Sequence, residues 1–278
     1  MMRVWISIDM EGMSGIVERR QLIPGQDQYE RGRMALMQDL DAVLTELRGA
    51  PDLDGEIVVN DSHDGMLNVL WDRIPPGVRL ISGGTKALSM NQGVQHADLA
   101  LFVGYHAMAG TPAAIMDHTY SGEIFRVTLN GREVGETGIN AAVAGHYGVP
   151  VGLVSGDDKL AHEVAALLPG AVTVIVKEGV SRNSAGLLSS HETTQRLREG
   201  VAEALARART GSLRPYKVDA PTHWTMTLMT ADMADRAMYC PGTERIDGRT
   251  VAFTTDTVLE GFRAFYTVMG LASGRPIY

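Results

Sequence analysis

The chain has 278 residues and 30.0 kDa, is 45% hydrophobic, and carries a formal net charge of -8 with a pI near 5.5. That size and apolar content support one large or two modest folded units, and the acidic balance without a Lys/Arg-dense run argues against a nucleic-acid or anionic-membrane surface. The single cysteine, Cys240, excludes an intramolecular disulfide and a cysteine metal cluster, which leaves oxygen and imidazole as metal donors and points to a reducing cytoplasm.

The first predicted element is an apolar strand, Val4 to Ile8, with no basic segment and long apolar stretch before it. No window reaches the roughly 18 apolar residues of a membrane span, so membrane insertion is not expected. A helical period follows over Tyr29 to Leu47, then β-branched runs at Glu56 to Asn60, Val78 to Ile81 and Leu99 to Tyr105. Phe125 to Leu129, Asn130-Gly131 and Arg132 to Val134 spell a two-residue hairpin, because Asn-Gly tolerates the left-handed backbone such a turn needs. Next come a helix over Gly138 to Tyr147, a strand over Val151 to Ser155, a helix over Lys159 to Leu168 and a strand over Val172 to Lys177.

Strands alternating with helices make the fold class α/β, a mostly parallel sheet sandwiched by helices. Past residue 178 the rhythm changes. A polar stretch (Ser181 to Ser190), an amphipathic helix (Thr193 to Arg209) and a Pro-containing link precede strands His223 to Thr230 and Thr250 to Thr255 and a C-terminal helix from Thr257 to Ala272. The expected division is residues 1–178 as an α/β catalytic unit and residues 179–278 as a smaller α+β unit. The C-terminal helix is free to pack back on the first.

Chemistry concentrates at the strand ends. Asp9 and Glu11 follow the first strand, one residue apart, so an extended backbone points both carboxylates the same way. Adjacent negative charges repel unless a cation or a shared proton offsets them. His63 follows the second strand in Asn60-Asp61-Ser62-His63, His106 follows another in Gly104-Tyr105-His106, and Glu136 opens a helix after the hairpin. Three carboxylates and two imidazoles suit zinc, and also manganese or cobalt, and five donors exceed what one catalytic ion uses. The set therefore reads as a dinuclear site. The plainer alternatives are a capping or ion-pair role for Asp9 and Glu11, a turn role for Asp61, and helix capping by Asp157-Asp158. His96, His146, His162, His191 and His223 lack a strand-end context.

Ser-Ile-Asp-Met-Glu-Gly, Asn-Asp-Ser-His, Gly-Tyr-His-Ala, Gly-Glu-Thr-Gly-Ile-Asn-Ala and Ser-Gly-Asp-Asp, in this order, resemble the DppA-type D-aminopeptidase family of zinc metallopeptidases. Tyr29-Glu30-Arg31-Gly32-Arg33 and Val176-Lys177-Glu178 extend the likeness along essentially the whole chain. The resemblance implies two zinc ions per subunit bound by Asp9, Glu11, His63, His106 and Glu136. Asp9 would bridge, His63 and Glu136 would complete one ion, and Glu11 and His106 the other. It also implies a bilobal subunit in a decameric ring, and hydrolysis of the N-terminal peptide bond of short peptides of the D-Ala-D-Ala type.

His118, in the loop between His106 and Glu136, is a candidate proton shuttle or oxyanion donor. Asn140, one helical turn beyond Glu136, is a candidate to orient that carboxylate or the substrate. Two readings compete with the peptidase. One is a dinuclear hydrolase of another amide or a phosphoester, for which Arg31, Arg33 and Lys86 are the available cations. The other is a non-catalytic peptide-binding protein that keeps a metal for structure.

Overall fold

Five residues, Val4–Ile8, form β1, an interior strand of a seven-stranded sheet. The computed structural model describes residues 2–51, 53 and 55–274. In it, β2 (Ile57–Asp61) and β3 (Val78–Ile81) lie on one side of β1, and β4 (Leu99–Val103) lies on the other. β1 and β4 are buried along their whole length, as strands covered on both faces must be. Alternate side chains supply the two faces. Val4, Ile6 and Ile8 pack with α1 (Tyr29–Gly49), while Trp5 packs with Ala100 and Phe102 on the opposite face.

β5 (Ile124–Leu129) and β6 (Arg132–Glu133) are the hairpin, with Asn130 and Gly131 both left-handed at φ 49° and 76°. Both positive φ angles match the mirror-image turn that Asn-Gly favours. α2 (Glu136–His146), β7 (Val151–Asp157), α3 (Asp158–Leu167) and β8 (Val172–Ser181) complete the alternation, and the large sheet is parallel from β3 through β8. β9 (Ser184–Leu187) adds an antiparallel edge inside the stretch expected to be a polar link. α4 (Ser190–Arg209) joins α1 on one face through Leu197 and Val201, and α2 and α3 cover the other.

The smaller sheet is antiparallel, in the order β11 (Glu244–Arg245), β12 (Thr250–Thr255), β10 (Thr222–Leu228), β5, β6. α5 (Ala231–Ala237) and α6 (Val258–Ala272) back it, and α6 starts from a reciprocal Thr257–Glu260 cap. The two layers do not divide the chain at residue 178. The hairpin belongs to the smaller sheet and α4 belongs to the larger one.

α2 is the joint between them. Ala141 and Ala144 face the large sheet, Ile139 and Val143 face the small one, and every residue from Glu136 to Gly145 is buried. A helix buried all round is apolar all round, so its one acidic residue, Glu136, stands at the start where the N-terminal dipole favours it. Among the described residues no helix is long and apolar enough to cross a membrane.

Candidate metal centre

Strand order in the large sheet runs outward in both directions from the β1–β4 pair. In open parallel sheets ligands bind at the carboxyl ends of the strands where the order reverses. Asp9 follows β1 there, with its N–H donated to Val103 O at 2.9 Å. His63 follows β2 and His106 follows β4, on either side. Ser62 N–H donates to Ile8 O at 2.9 Å and Tyr105 N–H to Ser155 O at 2.9 Å, which ties each strand exit to its neighbour.

All five expected ligands are buried and converge. His63 Nδ1 lies 3.2 Å from Asp9 Oδ1 and 3.0 Å from Glu11 Oε2. His106 Nε2 lies 3.5 Å from Asp9 Oδ2 and 3.3 Å from Glu136 Oε1. Asp9 thus presents one oxygen to each half. The partition differs from the one implied by resemblance: Glu11 goes with His63, and Glu136 goes with His106. The reason is long-range placement: Glu11 reaches His63 after β2, whereas α2 starts beside Met108 in the loop that follows β4 and His106.

The tautomers are set from outside the cluster. Carbonyl oxygens only accept, so His63 donates its Nε2 proton to Leu22 O at 3.3 Å and His106 its Nδ1 proton to Ala107 O at 3.1 Å. That leaves an imidazole lone pair aimed at carboxylate oxygens in each half, which is repulsive without a cation between them. His106 Nε2 and Glu11 Oε2 are both buried without a hydrogen-bond partner. Lone pairs converging in a dry pocket, with the far nitrogen of each ring tied to a carbonyl, fit bound divalent metal.

The ionisation pattern agrees. Burial, with Glu11 beside it, pushes the Asp9 carboxyl up to about 7. Against the cost of burial, His63 holds Glu11 low and Glu11 holds His63 high, while Glu136 and His106 do the same for each other. In the metal-free chain protons on the two rings stand where metal charge belongs.

A family model described as D-aminopeptidase matches residues 2–267. The chain belongs to the D-aminopeptidase family. A D-aminopeptidase of Bacillus subtilis (strain 168) is 36% identical over 273 residues, 98% of this chain and 98% of that one. The solved structure of the Zn-dependent D-aminopeptidase DppA from Bacillus subtilis, described as a self-compartmentalizing protease, matches with a TM-score of 0.93 and 34% identity, covering 100% of both chains.

In this D-aminopeptidase-family chain His118 joins the second half. Its Nδ1 donates to Met116 O at 2.9 Å, and its Nε2 stands 3.6 Å from Glu136 Oε1. Its side chain is 25% exposed against 8% or less for the five ligands. It is the histidine of the group open to solvent.

The Asn140 side chain bonds to residues other than Glu136. It donates to Tyr105 Oη at 2.9 Å and accepts from Tyr120 Oη at 2.5 Å and Asn91 Nδ2 at 2.6 Å, fully buried. Its link to the centre runs through Tyr120, whose backbone N–H donates to Glu136 Oε1 at 2.6 Å.

The bland readings of two acidic sites hold. The Asp61 carboxylate accepts from the amides of Asn68 and Val69 and organises the turn after β2, and Asp157 caps α3 while also taking Ile115 N–H.

Three supporting residues had no role assigned from sequence. Lys177 is fully buried, and its ammonium donates to the carbonyls of Glu11, Met13 and Ile16. Asp39, on α1, accepts Ser14 N–H at 2.8 Å. Glu163, on α3, accepts Met108 N–H at 3.0 Å beside the His106 loop. The available signal for Lys177 was a basic residue closing the otherwise apolar run Val172 to Val176.

Proposed function

We propose that this protein is a dinuclear zinc aminopeptidase that hydrolyses the N-terminal peptide bond of short peptides, with D-Ala-D-Ala-type dipeptides as the substrate class. The observation that carries this reading is the pair of imidazole lone pairs, at His63 Nδ1 and His106 Nε2, each 3.0–3.5 Å from two carboxylate oxygens. Asp9, Glu11 and His63 would hold one ion, and Asp9, His106 and Glu136 the other. Three protein donors on each side leave a position open, as catalytic rather than structural sites do. When bound, the two ions supply Lewis acidity toward a peptide carbonyl and lower the pKa of water from about 15.7 toward about 7.

The chain's own residues do the rest. His118 Nε2, with its Nδ1 proton fixed on Met116 O, accepts a proton from the attacking water and returns it to the departing amine. Tyr120 N–H holds Glu136 from outside, and Asn140 holds Tyr120. The site thereby keeps its shape while a peptide enters and leaves.

The self-compartmentalizing relative and the resemblance to the DppA-type family support a ring of identical subunits, a decamer, with small peptides reaching the sites from inside. A cytoplasmic location accords with the single cysteine.

The phosphoester alternative loses its cations. Lys86 is buried and donates to Asn60 Oδ1 and Asp61 O, Arg33 donates to Asn68 O, and Arg31 lines a groove between α1 and α4.

The deciding experiment incubates zinc-loaded protein with D-Ala-D-Ala, L-Ala-L-Ala and p-nitrophenyl phosphate, with and without chelator. Chelator-sensitive release of D-Ala from the D-dipeptide supports the proposal. Turnover of the phosphate alone, or of nothing, overturns it.

A further inference from the structure

The loop that delivers Glu11 is gripped from behind by two charged residues of distant elements. Asp9 to Ile16 turns sharply off β1, with Met13 N–H donated to Met10 O and Ile16 N–H to Met13 O. Met10, Met13 and Ile16 are wholly buried, so carbonyls beside them meet little water and are served by internal donors. Lys177 Nζ, from β8, supplies them at 2.5 Å to Glu11 O, 2.9 Å to Met13 O and 2.6 Å to Ile16 O. An ammonium has three protons and no lone pair. All three protons are taken, which leaves Lys177 nothing to offer a substrate as acid, base or nucleophile.

Asp39, buried on α1, takes a loop amide that lies between these carbonyls, Ser14 N–H at 2.8 Å. Its charge, with that of Asp157, also acts on the Lys177 ammonium. A buried cation reads the loop's carbonyls and a buried anion reads its N–H.

We propose that Lys177 and Asp39 are positioning residues for Glu11: together they hold the Asp9–Ile16 backbone in the bend that carries the Glu11 carboxylate to the His63 half of the centre. This rests on Glu11 being a ligand, as proposed above. The ligand geometry is then completed only when β8 and α1 are in place.

The test uses the full chain with Lys177→Met and Asp39→Asn. Hydrogen exchange on chelated protein should show the amides of Gly12 and Ser14 losing at least about tenfold protection while β1, β4 and β7 keep theirs. Zinc titration should show one ion weakened about 10–100-fold, the usual effect of losing an outer support, with the other unchanged. Loss of one ion and not the other separates positioning from a general weakening of the fold. Asp39→Asn keeps the side-chain volume and an acceptor oxygen, so it carries the test if Lys177→Met does not fold. Wild-type loop protection and two wild-type affinities in Asp39→Asn, and in Lys177→Met where it folds, would overturn the proposal. Fewer than two ions on the wild-type chain would instead overturn the dinuclear reading, and loop exchange would still decide the role of Lys177 and Asp39.

Discussion

His106 and His118 lie face to face, with ring centroids 4.1 Å apart and planes within 9° of parallel. Each ring donates its Nδ1 proton to a backbone carbonyl, so both Nε2 atoms point toward Glu136. Two imidazolium rings at this separation repel. Burial, and then His106, hold the His118 pKa below the ordinary histidine value. One ring of the stack is thus suited to hold metal and the other, more exposed, to exchange protons.

Replacing His118 separates these jobs. His118→Ala should lower kcat by about 10²–10⁴-fold, the usual contribution of a general acid–base group, while the protein still binds two zinc ions and KM changes little. Steady-state kinetics with metal analysis on the same preparation checks this. An unchanged kcat would remove His118 from the mechanism, and loss of an ion would make it a ligand.

The proposed bridging by Asp9 predicts unequal effects at the two residues of the opening motif. Asp9 faces both halves and Glu11 only His63. Asp9→Ala should therefore retain no tightly held zinc, and Glu11→Ala should retain one ion, on His106 and Glu136. Metal content after exhaustive dialysis decides, and equal losses in the two variants would contradict a bridging Asp9.

The convergence of the five candidate ligands was legible because each follows a strand or begins a helix, positions that the apolar runs mark directly. Their partition was not legible, since it depends on β1 lying between β2 and β4, a long-range fact that Asp9 and Glu11 do not encode locally. The hairpin illustrates the same divide. Asn130-Gly131 announced the turn, yet pairing of β5 with β10, some hundred residues on, assigns it to the smaller sheet. Ser184 to Leu187 has no apolar alternation and becomes β9 only by pairing with β8. Asn140 was placed on the helix face of Glu136 by its spacing, but α2 is buried on all sides, and the Asn140 amide is taken up by Asn91, Tyr105 and Tyr120.

Glu163 gives a pH dependence separable from metal binding. Burial raises its carboxyl to about 7, so the folded chain keeps a proton that the unfolded chain has already lost. Stability falls as pH rises from about 4.5 toward 7, and the cost, on the order of 3 kcal/mol, is complete above that window. Glu163→Gln keeps an acceptor for Met108 N–H and removes the charge. Denaturant unfolding of chelated protein should show the variant gaining stability at pH 8 relative to its effect at pH 5. Equal effects at both pH values would contradict this assignment.

Gly12 is where the first ligand loop touches the strand exit that carries His106. Its N–H donates to Gly104 O at 2.8 Å. A Cβ there would fall 1.8 Å from Tyr105 O and 2.6 Å from Gly104 C. Both neighbours are backbone, so relief requires moving the Asp9 loop away from β4 and lengthening the span that Asp9 bridges. Gly12→Ala should cost about 3 kcal/mol, the upper end for overpacking a filled site, and should weaken both ions. Gly15→Ala is the matched control: its φ is +74° and nothing lies within 4 Å of its Cβ, so it carries only the left-handed backbone strain of about 1–2 kcal/mol. Zinc titration and thermal unfolding of the two variants should therefore diverge, with both ions retained at wild-type affinity in Gly15→Ala and lost together in Gly12→Ala.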